Sequence, residues 1–217
     1  MIKFENVTAT YKKNIGIFNI SFTVEPGEMV FVMGPTGAGK STVLKTIYKD
    51  VDIDSGKIFI NNKNIYKKSS NSEISYLRRE IGMIFQDFKL LNDRTVFENI
   101  SLPLRIEGYS NNEIKKLVKE VLVKIGLPGC ENSKPLELSG GEQQRVCIAR
   151  ALVKKPKVIL ADEPTGNLDP NISDEILDLL EGCTNEGAAV LMSTHNFPLI
   201  RPRNKQFIEL NQGRIVE

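Results

Sequence analysis

Apolar positions along this 217-residue chain follow two rhythms, and the change of rhythm marks its parts. Short apolar runs suited to strands cover Ile2 to Thr8 and Ile17 to Val24, and the polar Glu25-Pro26-Gly27-Glu28 after them reads as a turn. Antiparallel strands are therefore expected at the start. Met29-Val30-Phe31-Val32-Met33 is continuously apolar, as a strand buried on both faces requires, and runs straight into the glycine-rich stretch Gly34 to Gly39. Two later runs share that character. Val158-Ile159-Leu160-Ala161 ends in Asp162-Glu163, and Ala188-Ala189-Val190-Leu191-Met192 ends in Ser193-Thr194-His195. Three buried strands with polar groups at their C-terminal ends match an open parallel sheet, which binds ligands along that edge.

Between the first and second of these strands the period lengthens. Ser110-x-x-Glu113 has the form of a capping box, and Ile114, Leu117, Val118, Val121, Leu122 and Ile125 recur at helical spacing. The pattern predicts an amphipathic helix ending near Gly126. The expected fold class is α/β: a P-loop-type core with a mostly parallel sheet, N-terminal antiparallel strands, and an α-helical subdomain from about 86 to 144 inserted in it, all within a single domain of residues 1–217. The Lys/Ser/Asn-rich segment Asn61 to Ser72 is expected to be a surface excursion.

Composition changes this picture little. Apolar residues at 41% and charged residues at 26% give enough material for a core, and 29 Lys+Arg against 27 Asp+Glu leave no global charge to draw nucleic acid. No nucleic-acid partner is expected. Cys130, Cys147 and Cys183 lie far apart and form no C-x-x-C pair, so neither a disulfide framework nor a zinc site is expected, and a reducing cytoplasm is the simplest compartment. No run of about 18 apolar residues could span a bilayer, and the N-terminus lacks an apolar signal core. Any membrane function must pass through another chain.

The chemistry gathers in the strand ends. Gly34-Pro35-Thr36-Gly37-Ala38-Gly39-Lys40-Ser41 fits G-x-x-x-x-G-K-[ST], with Thr42 following. Glycines there allow positive φ and close backbone approach to phosphate oxygens, Lys40 brings a charge to the β/γ-phosphates of ATP, and Ser41 can ligate Mg²⁺. Asp162 and Glu163 supply the complement: one carboxylate to hold Mg²⁺ and one to orient or deprotonate water. On its own the acid pair could be a solvated strand end; together with the phosphate loop it points to nucleotide hydrolysis.

Leu138-Ser139-Gly140-Gly141-Glu142-Gln143-Gln144-Arg145 resembles the signature sequence of ATP-binding-cassette ATPases, and the resemblance extends over essentially the whole chain. It implies further roles: Gln86 as the Q-loop glutamine and a metal contact, Gly166-Asn167-Leu168-Asp169 as the D-loop, His195 as the switch histidine, and Tyr11 as the aromatic stacked on adenine. The other reading of Tyr11 is a surface aromatic. Ser139, Gly140, Gly141 and Glu142 would open a helix whose N-terminus forms a second anion site. One nucleotide scarcely needs two such sites. The resemblance resolves this with a head-to-tail homodimer in which each ATP lies between the phosphate loop of one copy and the signature of the other.

Within that family, Ala161 to Asp169 resembles the branch whose membrane partners work mechanically on envelope substrates, including lipoprotein-release and macrolide-efflux ATPases. The run Ile81 to Leu91, continuing through Asp93-Arg94-Thr95-Val96, looks most like the cell-division members of the branch. That likeness implies a peripheral place on the cytoplasmic face of the membrane, beside an integral membrane partner that controls cell-wall hydrolases. Asn196, where many relatives carry Asp after the histidine, is the one departure. Phe88, Leu90 and Leu91 either line a groove for a short helix of the partner or fill the junction between core and helical subdomain.

Overall fold

The structure, a computed structural model, describes residues 1–12, 15–66, 70–166 and 168–216. Strands β1 (Ile2–Lys12) and β2 (Ile15–Val24) pair antiparallel, β4 (Ser55–Ile60) adds to the other side of β1, and the short β5 (Lys63–Asn64) finishes a four-stranded sheet in the order β2-β1-β4-β5. The second sheet has the order β10-β9-β3-β8-β7-β6, built from β3 (Met29–Met33), β6 (Ile81–Ile84), β7 (Val158–Asp162), β8 (Ala189–Thr194), β9 (Gln206–Asn211) and β10 (Arg214–Ile215). All its pairings are parallel except β9 with β10. The expected parallel core and antiparallel start are both present.

Continuous hydrophobicity in β3 has a direct cause. Val30 and Val32 enter the layer shared with the antiparallel sheet and Leu44, while Met29 and Phe31 enter the opposite layer with Ile100, Leu122 and Ile148. Successive strand side chains point to opposite faces, so a strand with a core on each side is apolar at odd and even positions alike. β7 divides in the same way, Val158 and Leu160 to one layer and Ile159 and Ala161 to the other. Cutting Phe31, which is 1% exposed, to alanine would cost about 3–5 kcal/mol, the usual range for a buried aromatic.

The helices are α1 (Lys40–Ile47), α2 (Asn71–Glu80), α3 (Val96–Glu107), α4 (Asn111–Lys124), α5 (Gly140–Leu152), α6 (Pro170–Asn185) and α7 (Phe197–Ile200). α4 starts at its capping box, with Ser110 Oγ accepting from the Glu113 amide, and buries Ile114, Val118, Val121 and Leu122, the stripe its sequence period predicts. α3, α4, a 3₁₀ turn at Pro135–Glu137 and α5 lie between β6 and β7. The boundary drawn at Gln144 falls inside α5, which carries the chain from the signature back towards β7 without a break.

Two polar side chains tie down the long connection from β6 to α3. Asn99, fully buried, donates from Nδ2 to the carbonyls of Leu91, Arg94 and Thr95 and accepts from the Leu91 amide at 2.8 Å. Arg150 of α5 donates to the carbonyls of Phe88 and Lys89, both left-handed at φ 58° and 48°. Phe88 and Leu90 pack against the helical-side core, so they fill the junction, and Leu91 stays exposed. The segment Asn61–Ser72 departs from the sequence reading: it contains β5 and the first residues of α2, with residues 67–69 outside the described set. Its helix start was written in the sequence as a capping box, Ser70 with Glu73.

Candidate functional site

α1 begins without a side-chain cap. Its N-cap is Gly39 at φ 105°, no acidic residue lies in its first turn, and its leading amides therefore face the loop with nothing of the protein's own side chains bonded to them. The other long helices, α2 to α6, are each capped by a Ser, Thr or Asp side chain. The loop in front of α1 holds its shape through glycine. Gly34 lies at φ 144°, where a Cβ would come within 2.2 Å of the Leu210 carbonyl oxygen, and Gly37 lies at φ 84° with open space on its Cβ side. Together they form an anion cradle at the C-terminal end of β3.

Lys40 is 5% exposed, and its Nζ donates to the carbonyls of Gly34 (2.9 Å) and Pro35 (3.2 Å). The same ammonium lies 3.3 Å from Glu163 Oε1, while Glu163 Oε2 lies 2.7 Å from Nδ1 of His195. One carboxylate thus links the base of the phosphate loop to the histidine at the end of β8. Beside it, Ser41 Oγ donates to Asp162 Oδ1 at 3.0 Å and Ser193 Oγ donates to the same oxygen at 2.6 Å. The Glu163 amide points back to Ser193, 3.0 Å from its Oγ. Glu163 itself takes a left-handed φ of 44°, a conformation a β-carbon disfavours by about 1–2 kcal/mol, and the bonds to Ser193 hold it there.

A cavity of about 320 Å³ opens over these groups, lined by Thr36, Gly37, Gly39, Lys40, Ser41, Thr42, Gln86 and Glu163, together with Ile15 and Gly16 from the β1–β2 hairpin. Larger hollows exist elsewhere on the molecule, so chemistry and not volume singles this one out. Pro35 and Ala38 complete the loop from behind, and Asp162 and His195 reach the site through Ser41 and Glu163. The donor set suits a hard cation: a serine hydroxyl and a carboxylate 3.0 Å apart, with the Gln86 amide on the same cavity wall. Tyr11, half exposed, sits on the β1 side of that hairpin but does not line the cavity. Ile15, Gly16 and Ser193 are contributors that motif reading passed over.

The signature lies elsewhere. Ser139, Gly140, Gly141 and Glu142 open α5, and none of them lines the cavity over Lys40. Here the helix N-terminus is closed on itself: Ser139 donates its amide and hydroxyl to Glu142 Oε2 at 2.8 and 2.7 Å and accepts from the Glu142 amide. Those bonds hold the Glu142 carboxyl below the usual carboxylate range. Gly141 packs closely on α6, where a Cβ would meet the Cδ1 end of Ile172 at 2.8 Å. Of the D-loop run, Asp169 caps α6 by accepting from the Ile172 amide, and Asn167 lies outside the described residues.

Comparisons with known proteins agree with this arrangement. The ABC transporter family model matches residues 17–166. The cell division ATP-binding protein FtsE of Bacillus subtilis (strain 168) is 46% identical over 217 residues, covering 100% of this chain and 95% of that protein. FtsE of Escherichia coli (strain K12) is 46% identical over 216 residues, covering 99% of this chain and 97% of its own length. Among solved structures, a dimeric bacterial ABC transporter cassette superposes with a TM-score of 0.90 at 37% identity, covering 100% of this chain and 97% of that one. A dimeric post-hydrolysis cassette bound to ADP and Pi also gives 0.90, at 36% identity and the same coverage. With a phosphate cradle, a carboxylate beside it and relatives of nearly equal length, the chain belongs to the ABC transporter family as an ATP-binding and ATP-hydrolysing subunit like FtsE.

Proposed function

We propose that this chain is the ATPase of an FtsE/FtsX-type complex on the cytoplasmic face of the cell membrane, where two copies close on ATP and drive a membrane partner that controls cell-wall hydrolysis. The observation that carries the two-copy reading is the separation of the signature from the cavity over Lys40. Ser139 to Glu142 can meet a nucleotide in that cavity from a facing copy, and the similar cassette structures are dimers. Among the described residues no helix is long and apolar enough to cross a membrane, so the partner is assigned the crossing.

In the proposed cycle the triphosphate lies on the α1 amides and takes Lys40 as its counter-charge. Phosphate oxygens compete with Glu163 Oε1 for the ammonium, and once Lys40 turns to them that oxygen is free to accept a proton from water. His195, hydrogen-bonded to the other oxygen, fixes the direction in which the carboxylate faces. Ser41, Asp162 and Gln86 would hold Mg²⁺, which supplies charge neutralisation along the phosphates. Tyr11 is assigned to the adenine, next to the hairpin that walls the cavity.

A hollow of about 530 Å³ adjoins the Gln86 loop, lined in part by Tyr48, Phe85, Lys89, Leu102, Ile106 and Arg150. It is the proposed seat for a short cytoplasmic helix of the partner, held by a few apolar anchors. Phe88, Leu90 and Leu91 do not line it, so its anchors are residues of α3 and Phe85 instead. The test is to purify the Glu163→Gln chain from native membranes in Mg-ATP. Dimeric ATPase should be recovered with one integral membrane protein bearing an extracytoplasmic domain, identified by mass spectrometry. Recovery of a lipoprotein-release or macrolide-efflux permease would overturn the cell-division assignment.

A further inference from the structure

Behind His195 the chain makes α7 and then a 3₁₀ turn at Arg201–Arg203 before β9. Asn196 caps α7 by accepting from the Leu199 amide, and Ile200, 3% exposed, enters the helical-side core. The far end of this connection is fixed by Arg203. Its Nη1 donates to Asp178 Oδ1 at 2.5 Å and Glu181 Oε1 at 3.0 Å, and its Nη2 donates to Asp174 Oδ1 at 2.8 Å and to the Asp174 carbonyl at 3.1 Å. The side chain is 13% exposed, far less than a surface arginine. A planar fork engaging four oxygens at once defines position and orientation together, which a flexible ammonium does not.

α6 is the natural anchor for such a fork. It carries Asp174, Glu175, Asp178 and Glu181 and no Lys or Arg, so its charge is balanced from other segments: Arg203 and Lys205 on one stripe, and Arg145 of the signature helix on Glu175. Its N-terminus is capped by Asp169, in the stretch that follows Glu163. The helix behind the carboxylate's loop and the connection behind the histidine are therefore joined through one guanidinium.

We propose that Arg203 is a positioning residue for ATP hydrolysis, holding the connection behind His195 on α6 and so setting where the imidazole stands against Glu163. Arg203 touches neither partner of the pair, and its effect passes through the backbone from residue 203 to 195. The inference rests on the reading of His195 as a participant in hydrolysis.

The test is a double-mutant cycle on the full chain, using single-turnover and steady-state ATP hydrolysis with Arg203→Gln, His195→Ala and the combination. Arg203→Gln should lower kcat about tenfold and leave KM for ATP within about twofold, because the phosphate loop is untouched. In the His195→Ala background it should cause no further loss. A merely structural role would lower both backgrounds by the same factor, and that result, or an unchanged kcat in Arg203→Gln, overturns the proposal. Near-normal turnover by His195→Ala alone would instead refute the reading of the histidine. Should Arg203→Gln fail to fold, Asp178→Asn removes the shortest contact and must give the same pattern in weaker form.

Discussion

Two helix N-termini in this chain are suited to phosphate, and they are finished in opposite ways. α1 has no cap of its own and a glycine before it, so its amides wait on the loop with Lys40 alongside. α5 is closed by the Ser139–Glu142 box, whose carboxylate already occupies the favourable end of the helix dipole. A ligand reaching α1 displaces only Lys40's contacts with carbonyls and Glu163. A ligand reaching α5 must compete with a carboxylate and take over a serine hydroxyl already donated. The first site is suited to hold nucleotide in each copy, and the second to be engaged conditionally, on closure of the proposed dimer.

Changes on the two sides should therefore differ in kind. The largest effect is expected from Lys40→Ala, which removes the charge at the β/γ-phosphates: phosphate release should fall by about a hundredfold or more, while the thermal melt stays close to that of the parent. Turnover within tenfold of the parent would remove Lys40 from the site. Ser139→Arg should come next, with hydrolysis down about tenfold as a bulky cation meets the facing copy, and nucleotide affinity of the monomer preserved. It also deletes a cap, so the melt should drop by an amount matching about 1 kcal/mol. Lost monomer binding would mean that the two termini are not independent. Glu142→Gln should have the smallest effect and the opposite sign: the box can still form, but a negative charge beside the incoming phosphates is gone. Half-saturation by ATP should fall about two- to threefold, in keeping with an exposed charge interaction, and a rise would show that the carboxylate assists the ligand.

How much of this was legible follows from how many constraints each residue meets. β3, β7 and β8 could be read because both their faces are buried, and α4 because a capping box and a full apolar stripe coincide. The phosphate loop was legible since its backbone demands glycine at fixed positions. α2 was not: it is a short, mostly polar helix that buries Leu77 alone. α3 hid behind Pro103 in its interior, and β9 behind an alternation in which Leu210 is its one buried residue. In the site, Ser193 looked like one more hydroxyl at a strand end, and Ile15 and Gly16 belong to a hairpin that reaches the cavity only through tertiary folding. Phe88 and Leu90 show the converse, since apolar residues in a loop say that something covers them without saying what.

The left-handed backbone at Glu163 puts conformational strain on the residue whose carboxylate balances the buried Lys40. Glycine would relieve the strain, and asparagine would reduce it, at no loss to either core. Both would also remove the proposed base. Each would leave the Lys40 ammonium, 5% exposed, without its carboxylate, so the strain relieved is offset by a buried charge left unpaired, and the product is a cassette that holds ATP without consuming it.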